Sequence, residues 1–380
     1  MKVAGPWLQS PETQAVCAAL TDAGFQALFV GGCVRNALLG TMVADIDIST
    51  DATPETITML AENAGFHVIP TGIDHGTVTV VTGGIAHEIT TFRRDVSTDG
   101  RRATVEFSTS VLEDAKRRDL TMNALYATPA GEVIDPLHGL PDLLARRVRF
   151  VGDADARIRE DYLRILRFFR FHAIYADPEG GIDAEGLAAC AANSAGIETL
   201  SRERIGAEVR KLLSAANPAP TVAAMAHSGV LTAVLPGAND RALAPLVHLE
   251  GGLLIQWLRR LATLTGEDPT QGLRLSRSET AHFRSIRDEV GSARGAAELG
   301  YRYGAALATD IILTRAALLE MPLPTGWQAE IDKGVSAVFP ISAADLIATL
   351  QGPALGQRLK HLESRWIASG FTLTRDALLS

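Results

Sequence analysis

The hydrophobic period of this 380-residue chain changes at about residue 142, and that change limits the folds it can adopt. Earlier segments are short apolar runs or alternate polar and apolar residues, which predicts β-strands at residues 27–30, 45–48, 76–81 and 87–92. Later segments repeat apolar residues at helical spacing, as at residues 154–171, 201–213 and 221–235. We therefore expect an α/β head followed by an all-α neck, body and tail, with an exposed polar loop at residues 95–102.

Composition narrows the class of protein. The residues are 47% hydrophobic and 21% charged, as in folded rather than disordered chains. The sequence has no uninterrupted apolar run that could span a bilayer, so we expect no membrane association. Three cysteines, Cys17, Cys33 and Cys190, are far apart and odd in number, which fits neither a disulfide framework nor a zinc site. A reducing cytoplasm is therefore the expected location.

The formal net charge of −8 disfavours nucleic acid as a partner only if the charge is evenly spread. It is not, because residues 93–118 and 146–170 are both locally basic. A local groove sets the local field, so these segments could bind RNA in a chain that is acidic overall. Solvated helix faces are the alternative that charge alone leaves open.

Asp45 and Asp47 are two residues apart on a predicted strand, so their side chains point to the same face. Two converging carboxylates suit a pair of hard divalent cations, which take oxygen ligands. Two such cations can stabilise the attacking and the leaving oxygen of a phosphoryl transfer. An acidic pair that faces solvent is the alternative. The sequence thus predicts a catalytic metal site at Asp45 and Asp47.

Gly31 and Gly32 lie between a predicted strand and a predicted helix. Without side chains, the backbone can approach a triphosphate there and direct N–H groups and the helix dipole toward it. Arg35, in the first turn of the helix, can add a charge-assisted contact to the phosphates. A dinucleotide-binding turn of a nicotinamide enzyme fits less well, because the sequence lacks the G-x-G-x-x-G spacing.

The segment Gly31-Gly-Cys-Val-Arg-Asn-Ala-Leu-Leu-Gly40, followed by Asp45-Ile-Asp-Ile-Ser-Thr50, resembles the signature of the polymerase-β-like nucleotidyltransferases. It is most similar to the class II branch, which contains CCA-adding tRNA nucleotidyltransferases and bacterial poly(A) polymerases. The resemblance covers about residues 25–213. It implies a head with a small mixed sheet and helices, and Mg²⁺ as the cofactor with Mn²⁺ as a substitute. In one departure, Asn36 stands where this family usually carries Asp.

Two further segments extend the resemblance. Glu88, in His87-Glu-Ile-Thr-Thr-Phe-Arg93, matches the strand that supplies a third catalytic carboxylate in the family. A glutamate on an edge strand that faces water is the alternative. The segment Lys116-Arg-Arg-Asp-Leu-Thr-Met-Asn-Ala124 resembles the motif that binds the triphosphate and the ribose. This implies nucleotide contacts by Arg118, Asp119 and Asn123.

Residues 159–167 carry the prediction about nucleotide specificity. Asp161 and Arg164 are three residues apart in a predicted helix and would lie on one face, where a surface ion pair is the alternative. In class II enzymes, which this segment resembles, the carboxylate accepts from the exocyclic amine of the base and the arginine donates to ring acceptors. Cytosine and adenine carry that amine, whereas uracil and guanine present a carbonyl that a carboxylate repels. The resemblance also implies that Arg167 and Arg170 lie near the nucleotide.

The segment Ser201-Arg-Glu-Arg-Ile-Gly-Ala-Glu208 resembles the last motif of the family, which braces the helix that selects the nucleotide. Ser201 is a suitable N-cap for the helix that follows. We therefore expect Arg204 and Glu208 to support the site structurally.

Together the motifs predict a catalytic head over residues 1–142, a neck with the nucleotide-selecting motif over residues 143–213, and a helical body and tail over residues 214–380 that binds tRNA. Residues 71–80 and the loop at 95–100 resemble those of CCA-adding enzymes. We therefore expect template-free addition of CCA to tRNA from CTP and ATP, with release of pyrophosphate and without a protein partner. A poly(A) polymerase and an enzyme restricted to CC or to A addition remain alternatives. An inactive RNA-binding module is the alternative from a different class.

Overall fold

The computed structural model describes residues 1–72, 76–98, 103–264, 266–347 and 350–380. The chain divides into two compact units, Met1–Val234 and Leu235–Ser380. The predicted head and neck share the first unit, and the boundaries at residues 142 and 213 remain predictions. Among the described residues, no helix is long and apolar enough to cross a membrane.

The strands of the described chain all belong to the first unit: β1 Leu28–Val30, β2 Ile46–Thr50, β3 His67–Gly72, β4 Thr77–Thr82, β5 Ile85–Thr91, β6 Arg93–Thr98, β7 Ala103–Phe107, β8 Tyr126–Ala127 and β9 Val133–Ile134. Seven of them form one mixed sheet in the order β3-β4-β5-β2-β1-β8-β9. Within it β2 and β5 are parallel, and the other neighbours are antiparallel. Strands β6 and β7 form a separate antiparallel pair.

Helices make up most of the remaining structure. Those of the first unit are α1 Pro6–Gln9, α2 Pro11–Thr21, α3 Gly32–Leu38, α4 Pro54–Asn63, α5 Val111–Lys116, α6 Leu140–Leu144, α7 Ala154–Glu160, α8 Leu163–Tyr175, α9 Ala184–Ala192, α10 Arg202–Leu213, α11 Ala219–His227 and α12 Val230–Val234. Those of the second unit are α13 Leu243–Glu250, α14 Trp257–Leu264, α15 Arg277–Val290, α16 Ala296–Leu318, α17 Trp327–Ser336, α18 Pro353–Ala368 and α19 Arg375–Leu379. The predicted order, a mixed sheet with helices and then a helical chain, is confirmed.

The core of the sheet explains how β2 and β5 present polar residues. Ile48 on β2 and Ile89 on β5 are register partners, and both are buried. Helices α2 and α4 pack against the sheet near β4 and β5. Since neighbouring residues of a strand point to opposite faces, Asp47 and Glu88 point away from the face of these two isoleucines. The apolar residues of these strands therefore fix where the acidic residues lie.

Two sequence-based predictions about local structure are wrong. Residues 95–98 were expected in a loop, but they continue β6 and pair with β7. Polar residues can form such a ladder because its hydrogen bonds come from the backbone. Residues 99–102, and residues 73–75 of the other stretch that resembles CCA-adding enzymes, lie outside the described residues. The helix expected over residues 154–171 is interrupted between α7 and α8, where Asp161 has extended backbone angles of φ −155° and ψ 106°.

The second unit contains a buried ionic cluster that the sequence did not suggest. Glu250 accepts hydrogen bonds from both Arg259 and Arg260, and Asp310 accepts from Arg259 Nη1 at 2.8 Å. His282 Nε2 lies 2.7 Å from the other oxygen of Asp310. Removing one partner of a buried pair leaves an uncompensated charge, which typically costs about 3–5 kcal/mol. The charges of α14 therefore belong to the interior of this unit and not to a solvated face.

Candidate active site

The turn between β1 and α3 has the form that the two glycines predict. Gly31 has φ 66° and ψ −115°, a conformation that residues with a side chain rarely adopt. A Cβ on Gly32 would lie 4.0 Å from Asp47 Oδ2, so the turn runs directly beside that carboxylate. The N–H of Gly31 donates to Leu125 O at 3.2 Å, however, and is not free for a phosphate. The N–H groups of the following residues, at the start of α3, remain.

The three carboxylates predicted to be catalytic lie on or next to the parallel strands β2 and β5. Asp45 is exposed and immediately precedes β2, whereas Asp47 lies within the strand and is half-buried. Glu88, which is exposed, is the register partner of Asp47 on the parallel strand β5. Partners on adjacent strands point to the same face. The strand pairing thus brings the third predicted carboxylate next to the first two.

The electrostatics of these carboxylates fit a divalent cation. Burial, together with the neighbouring charges of Glu88 and Asp45, raises the pKa of Asp47 to about 6, against the opposing effect of Arg118 and Arg35. Repulsion of this kind is what a bound cation relieves. Among the described residues, no three or more His, Cys, Asp or Glu side chains form a group that could enclose a metal ion. The donor set matches Mg²⁺ bound by one or two carboxylates with phosphate oxygens completing its coordination.

Arg118 reaches the same turn from the other side. Its Nη1 lies 3.6 Å from the position that a Cβ on Gly31 would take. Its Nε donates to Tyr126 Oη at 3.0 Å, and its Nη2 donates to Asp114 Oδ2 at 2.9 Å and to Ser49 Oγ at 3.3 Å. Ser49 is two residues beyond Asp47 on β2, on the same face. Arg118 is therefore hydrogen-bonded to β2, the strand next to or within which the acidic pair lies.

Asp119 and Asn123 form the centre of a polar network. Asp119 is 8% exposed and accepts hydrogen bonds from Arg167 Nε at 2.6 Å and from Asn123 Nδ2 at 3.0 Å. Burial alone would raise the pKa of Asp119, but the Arg167 guanidinium and these hydrogen bonds hold it below its usual value. Asn123 Oδ1 in turn accepts from Arg35 Nη1 at 2.5 Å. The two residues thus connect α3 to α8.

Arg35 is only 7% exposed, which the sequence did not indicate. Its Nη2 donates to Tyr175 Oη at 2.8 Å and to Asn36 Oδ1 at 3.0 Å. The guanidinium carbon also lies 4.3 Å from the centroid of the Tyr175 ring and 5.1 Å from that of Phe171. The predicted contact of Arg35 with phosphate remains a prediction.

Asp161 and Arg164, the expected nucleotide-selecting pair, do not lie on one continuous helix, although the N–H of Arg164 donates to Asp161 O at 3.0 Å. Asp161 lies at the break between α7 and α8 and not on a helix face with Arg164, so that expectation is wrong. Its Oδ1 accepts from the N–H of Leu163 at 3.1 Å, and its Oδ2 pairs with Arg204 at 2.6 Å. The ring of Tyr162 packs so closely on Gly196 that any side chain there would clash. The break is therefore held from two sides.

Arg164 has its own partners at the start of α8. Its Nη1 pairs with Glu160 at 2.5 Å and donates to Arg157 O at 3.0 Å, and its Nη2 donates to Arg117 O at 3.0 Å. Glu160 also pairs with Arg157. These contacts hold the Arg164 side chain against the C-terminal end of α5, at Arg117, which directly precedes Arg118.

Helix α10 braces α8, in line with the expectation for its Arg and Glu. Arg204 pairs with Asp161, and Glu208 pairs with Arg170 Nε at 2.6 Å. The Ser201 side chain caps the helix by accepting from the N–H of Arg204. The Arg204–Asp161 pair joins α10 to the break before α8, and the Glu208–Arg170 pair joins it to α8 about two turns further along.

Several residues of this site were not predicted from the sequence: Ser49, Asp114, Tyr126, Phe171 and Tyr175. Asp114 is four residues before Arg118, a spacing that allows an ion pair on a helix. That spacing was the available signal, but the adjacent acidic residues Glu113 and Asp114 together resemble an exposed helix face. Nothing local marks Asp114 as fully buried, since Tyr126 and β2 come from other parts of the chain.

Comparison with known proteins agrees with the motifs. Residues 27–149 match the family described as "Poly A polymerase head domain", and residues 181–241 match "Probable RNA and SrmB- binding site of polymerase A". The chain is 33% identical over 398 residues to the mitochondrial CCA tRNA nucleotidyltransferase 1 of Mus musculus, covering 98% of this chain and 92% of the relative. It is 30% identical to a CCA-adding enzyme of Leuconostoc mesenteroides, covering 97% and 94%.

Solved structures agree as well. The structure of the Bacillus stearothermophilus CCA-adding enzyme in complex with CTP is similar with a TM-score of 0.72 at 27% identity, over 96% of this chain and 94% of that chain. A Thermotoga maritima CCA-adding enzyme complexed with tRNA shares the fold, with a TM-score of 0.72 at 18% identity, over 96% and 92%. The resemblance to class II nucleotidyltransferases is thus confirmed.

The buried carboxylate of Asp114 predicts a pH dependence of stability. Although burial opposes it, the Arg118 and Arg117 guanidinium groups lower the pKa of Asp114 from 3.8 to about 2. A carboxyl group with a lowered folded-state pKa stabilises the fold above its unfolded pKa and loses that effect as the pH falls. Between about pH 4 and pH 2, the free energy of unfolding should therefore drop by about 2 kcal/mol more in the wild type than in Asp114→Asn.

Urea unfolding followed by circular dichroism at several pH values measures this difference. Glu132→Gln, which removes an exposed ion pair with Lys2, is the control and should keep the wild-type slope. Equal slopes for Asp114→Asn and the wild type over this range would contradict the assignment of Asp114 as a charged, buried partner.

Proposed function

Because the chain belongs to the family of CCA-adding tRNA nucleotidyltransferases, we propose that it adds C, C and A to the 3′ end of tRNA from CTP and ATP without a nucleic-acid template. The observation that carries this proposal is the parallel pairing of β2 with β5 beside the Gly31–Gly32 turn. This pairing gathers Asp47 and Glu88 next to a turn that Arg118 also faces. Acidic metal ligands and a phosphate-binding cation at one point are what nucleotidyl transfer requires.

Asp45 and Asp47 would hold Mg²⁺, or Mn²⁺ in its place. Bound there, a pair of such ions would stabilise charge on the attacking and the leaving oxygens. Glu88, as the third carboxylate, would complete the negative site. The reaction forms a bond between the 3′ oxygen of the RNA and the α-phosphorus of the nucleotide. It breaks the bond between that phosphorus and the oxygen that bridges to the β-phosphate, so that pyrophosphate leaves.

The triphosphate would lie along the start of α3. Arg118 Nη1 faces the Gly31–Gly32 turn and can donate to phosphate oxygens. The Arg167 side chain is one-third exposed beside Asp119, so it can reach the nucleotide as well, whereas Arg170 is held by Glu208. Arg35, Asp119 and Asn123 would act mainly by positioning these groups, since their polar atoms already bind one another.

Asp161 and Arg164 would select the base even though they do not share a helix face. The Asp161 side chain is 34% exposed, and each of its oxygens makes only one hydrogen bond among the contacts described above. A carboxylate oxygen accepts two, so Asp161 can also accept from the amine of cytosine or adenine. Selection of C and A over U and G then follows from hydrogen-bond polarity.

The tRNA would bind through the helical part of the chain, which includes the segment matched at residues 181–241. The proposed assignment of residues 214–380 to a tRNA-binding body rests on this match and on the relatives. Cys17, Cys33 and Cys190 are free and buried, which supports a reducing location such as the cytoplasm.

Single and combined nucleotides test the activity. With Mg²⁺ and a tRNA transcript that lacks its CCA end, CTP alone should add two residues, and CTP with ATP should add three. An unrelated RNA should not be extended. Products are separated on a sequencing gel. A long tail made from ATP on the unrelated RNA would identify a poly(A) polymerase instead, and a stop after CC would identify a restricted enzyme.

The acidic pair is tested by Asp47→Asn. Loss of a metal-binding carboxylate removes several kcal/mol of transition-state stabilisation, so addition should fall by about a thousandfold. The melting temperature should not fall, because the neutral side chain relieves repulsion from Glu88 and Asp45. Asp51→Asn, a matched change just beyond β2 where the side chain accepts from the N–H of Gln26, should retain activity. Wild-type turnover by Asp47→Asn, or activity that survives a chelator, would overturn the metal assignment.

Base selection is tested by Asp161→Ala in single-nucleotide incorporation with all four triphosphates. Loss of a hydrogen-bonding partner that the bound base would cover costs about 1–3 kcal/mol, so CTP and ATP use should slow roughly ten- to a hundredfold. Use of UTP and GTP should rise relative to CTP and ATP, because the repelling carboxylate is gone. Unchanged selectivity would show that Asp161 does not select the base.

Two control variants separate this effect from damage to the fold. Arg204→Ala breaks the same ion pair but keeps the Asp161 carboxylate, so it should slow addition without relaxing selectivity. Arg159→Ala removes an exposed arginine of α7 that pairs with Asp155 and should change neither rate nor selectivity.

A further inference from the structure

We propose that Asp114 and Tyr126 are positioning residues that fix the Arg118 guanidinium so that its Nη1 faces the nucleotide triphosphate at the Gly31–Gly32 turn. The inference rests on the proposed function, since it explains how one nucleotide contact of that site is made. Neither residue is one of the carboxylates proposed to hold the metal ion.

The three side chains form a closed set of hydrogen bonds. Tyr126 Oη donates to Asp114 Oδ2 at 2.6 Å and accepts from Arg118 Nε at 3.0 Å. Arg118 Nη2 donates to the same Asp114 oxygen at 2.9 Å. The Arg118 guanidinium carbon lies 5.2 Å from the centroid of the Tyr126 ring. Each member thus restrains the other two.

The set fixes one edge of the guanidinium and leaves the other edge for a ligand. Nε and Nη2 are held by Tyr126, Asp114 and Ser49. Nη1 is the nitrogen near Gly31. Because the guanidinium is planar, holding two of its nitrogens fixes the direction of the third. The contact to the triphosphate is therefore set before the nucleotide arrives.

Charge supports the same arrangement. Arg117 and Arg118 are adjacent cations, and the second oxygen of Asp114 pairs with Arg117 at 2.7 Å. Asp114 and Tyr126 are both fully buried, so neither can turn toward solvent. An arginine that loses its rotamer freedom during folding does not lose it again on binding, and this favours affinity. A loosely held Arg118 would bind the same phosphate more weakly.

A double-mutant cycle tests the inference, with the CTP dissociation constant measured by calorimetry in Mg²⁺ and kcat measured separately. Arg118→Ala should weaken CTP binding by about ten- to a hundredfold, as loss of a charged hydrogen bond does. Asp114→Asn should weaken it by about tenfold, and Tyr126→Phe, a milder change, by less. Asp114→Asn in the Arg118→Ala background should add nothing further, because its effect passes through Arg118.

Asp310→Asn is the matched control. Asp310 is also a buried aspartate, and it is paired with Arg259 and His282 in the second unit. It should lower thermal stability and leave CTP affinity unchanged. All constants are measured below the lowest unfolding temperature of the set.

The outcomes separate the two proposals. If Arg118→Ala binds CTP as the wild type does, Arg118 is not a triphosphate ligand and the proposed site itself is wrong. If Arg118→Ala weakens binding but Asp114→Asn and Tyr126→Phe do not, the positioning role is wrong and the proposed function stands. An additional loss from Asp114→Asn on top of Arg118→Ala, or an equal loss in Asp310→Asn, would also overturn the positioning role, because both indicate general damage to the fold.

Discussion

The hydrogen bond from Arg167 on α8 to the buried carboxylate of Asp119, which lies between α5 and β8, is the contact on which the site depends. From Asp119 the network continues through Asn123 and Arg35 to Tyr175, which lies on the same helix as Arg167. The circuit therefore starts and ends on α8. Since loss of one partner would leave a buried charge unpaired, at a cost of about 3–5 kcal/mol, the network allows few alternative arrangements. It fixes α8, and the break at Asp161 just before it, relative to the acidic pair.

The proposed triphosphate site gathers cations that would repel one another before the ligand arrives. Here each of three arginines has a buried acidic partner: Arg118 pairs with Asp114, Arg167 with Asp119, and Arg170 with Glu208. The centroid of the Phe171 ring lies within 5.5 Å of the guanidinium carbons of Arg35, Arg167 and Arg170, so one aromatic ring contacts three cations. Donors held in this way need little rearrangement when charge develops, which is the property that makes preorganised sites effective.

The sequence predicted what short-range patterns determine. Alternation and glycine spacing located β2, β5 and the β1–α3 turn, and the family resemblance indicated Glu88. Short-range patterns could not indicate that β2 and β5 pair in parallel, because register depends on contacts between distant segments. The break at Asp161 was missed since apolar residues such as Ile158 and Ile165 continue the helical spacing across it. Asp114 and the Glu250–Arg259 cluster were missed because a charged residue in a helix usually faces solvent, and only tertiary contacts show otherwise.

Asn36 illustrates how one departure from the family pattern changes the balance of charge. Its Oδ1 accepts from Arg35, while its Nδ2 donates to Met42 O at 3.0 Å, which an ionised Asp could not do. The hydrogen-bond partners of Arg35 described here, Asn36, Asn123 and Tyr175, are therefore all neutral. Burial lowers the pKa of the Arg35 guanidinium, and the interaction with the Tyr175 ring and hydroxyl opposes this decrease in pKa. Without a carboxylate in direct contact, the positive charge of Arg35 is compensated mainly by dipoles and aromatic faces. More of its potential then extends to the neighbouring glycine turn, because dipoles cancel a charge less completely than an opposite charge does.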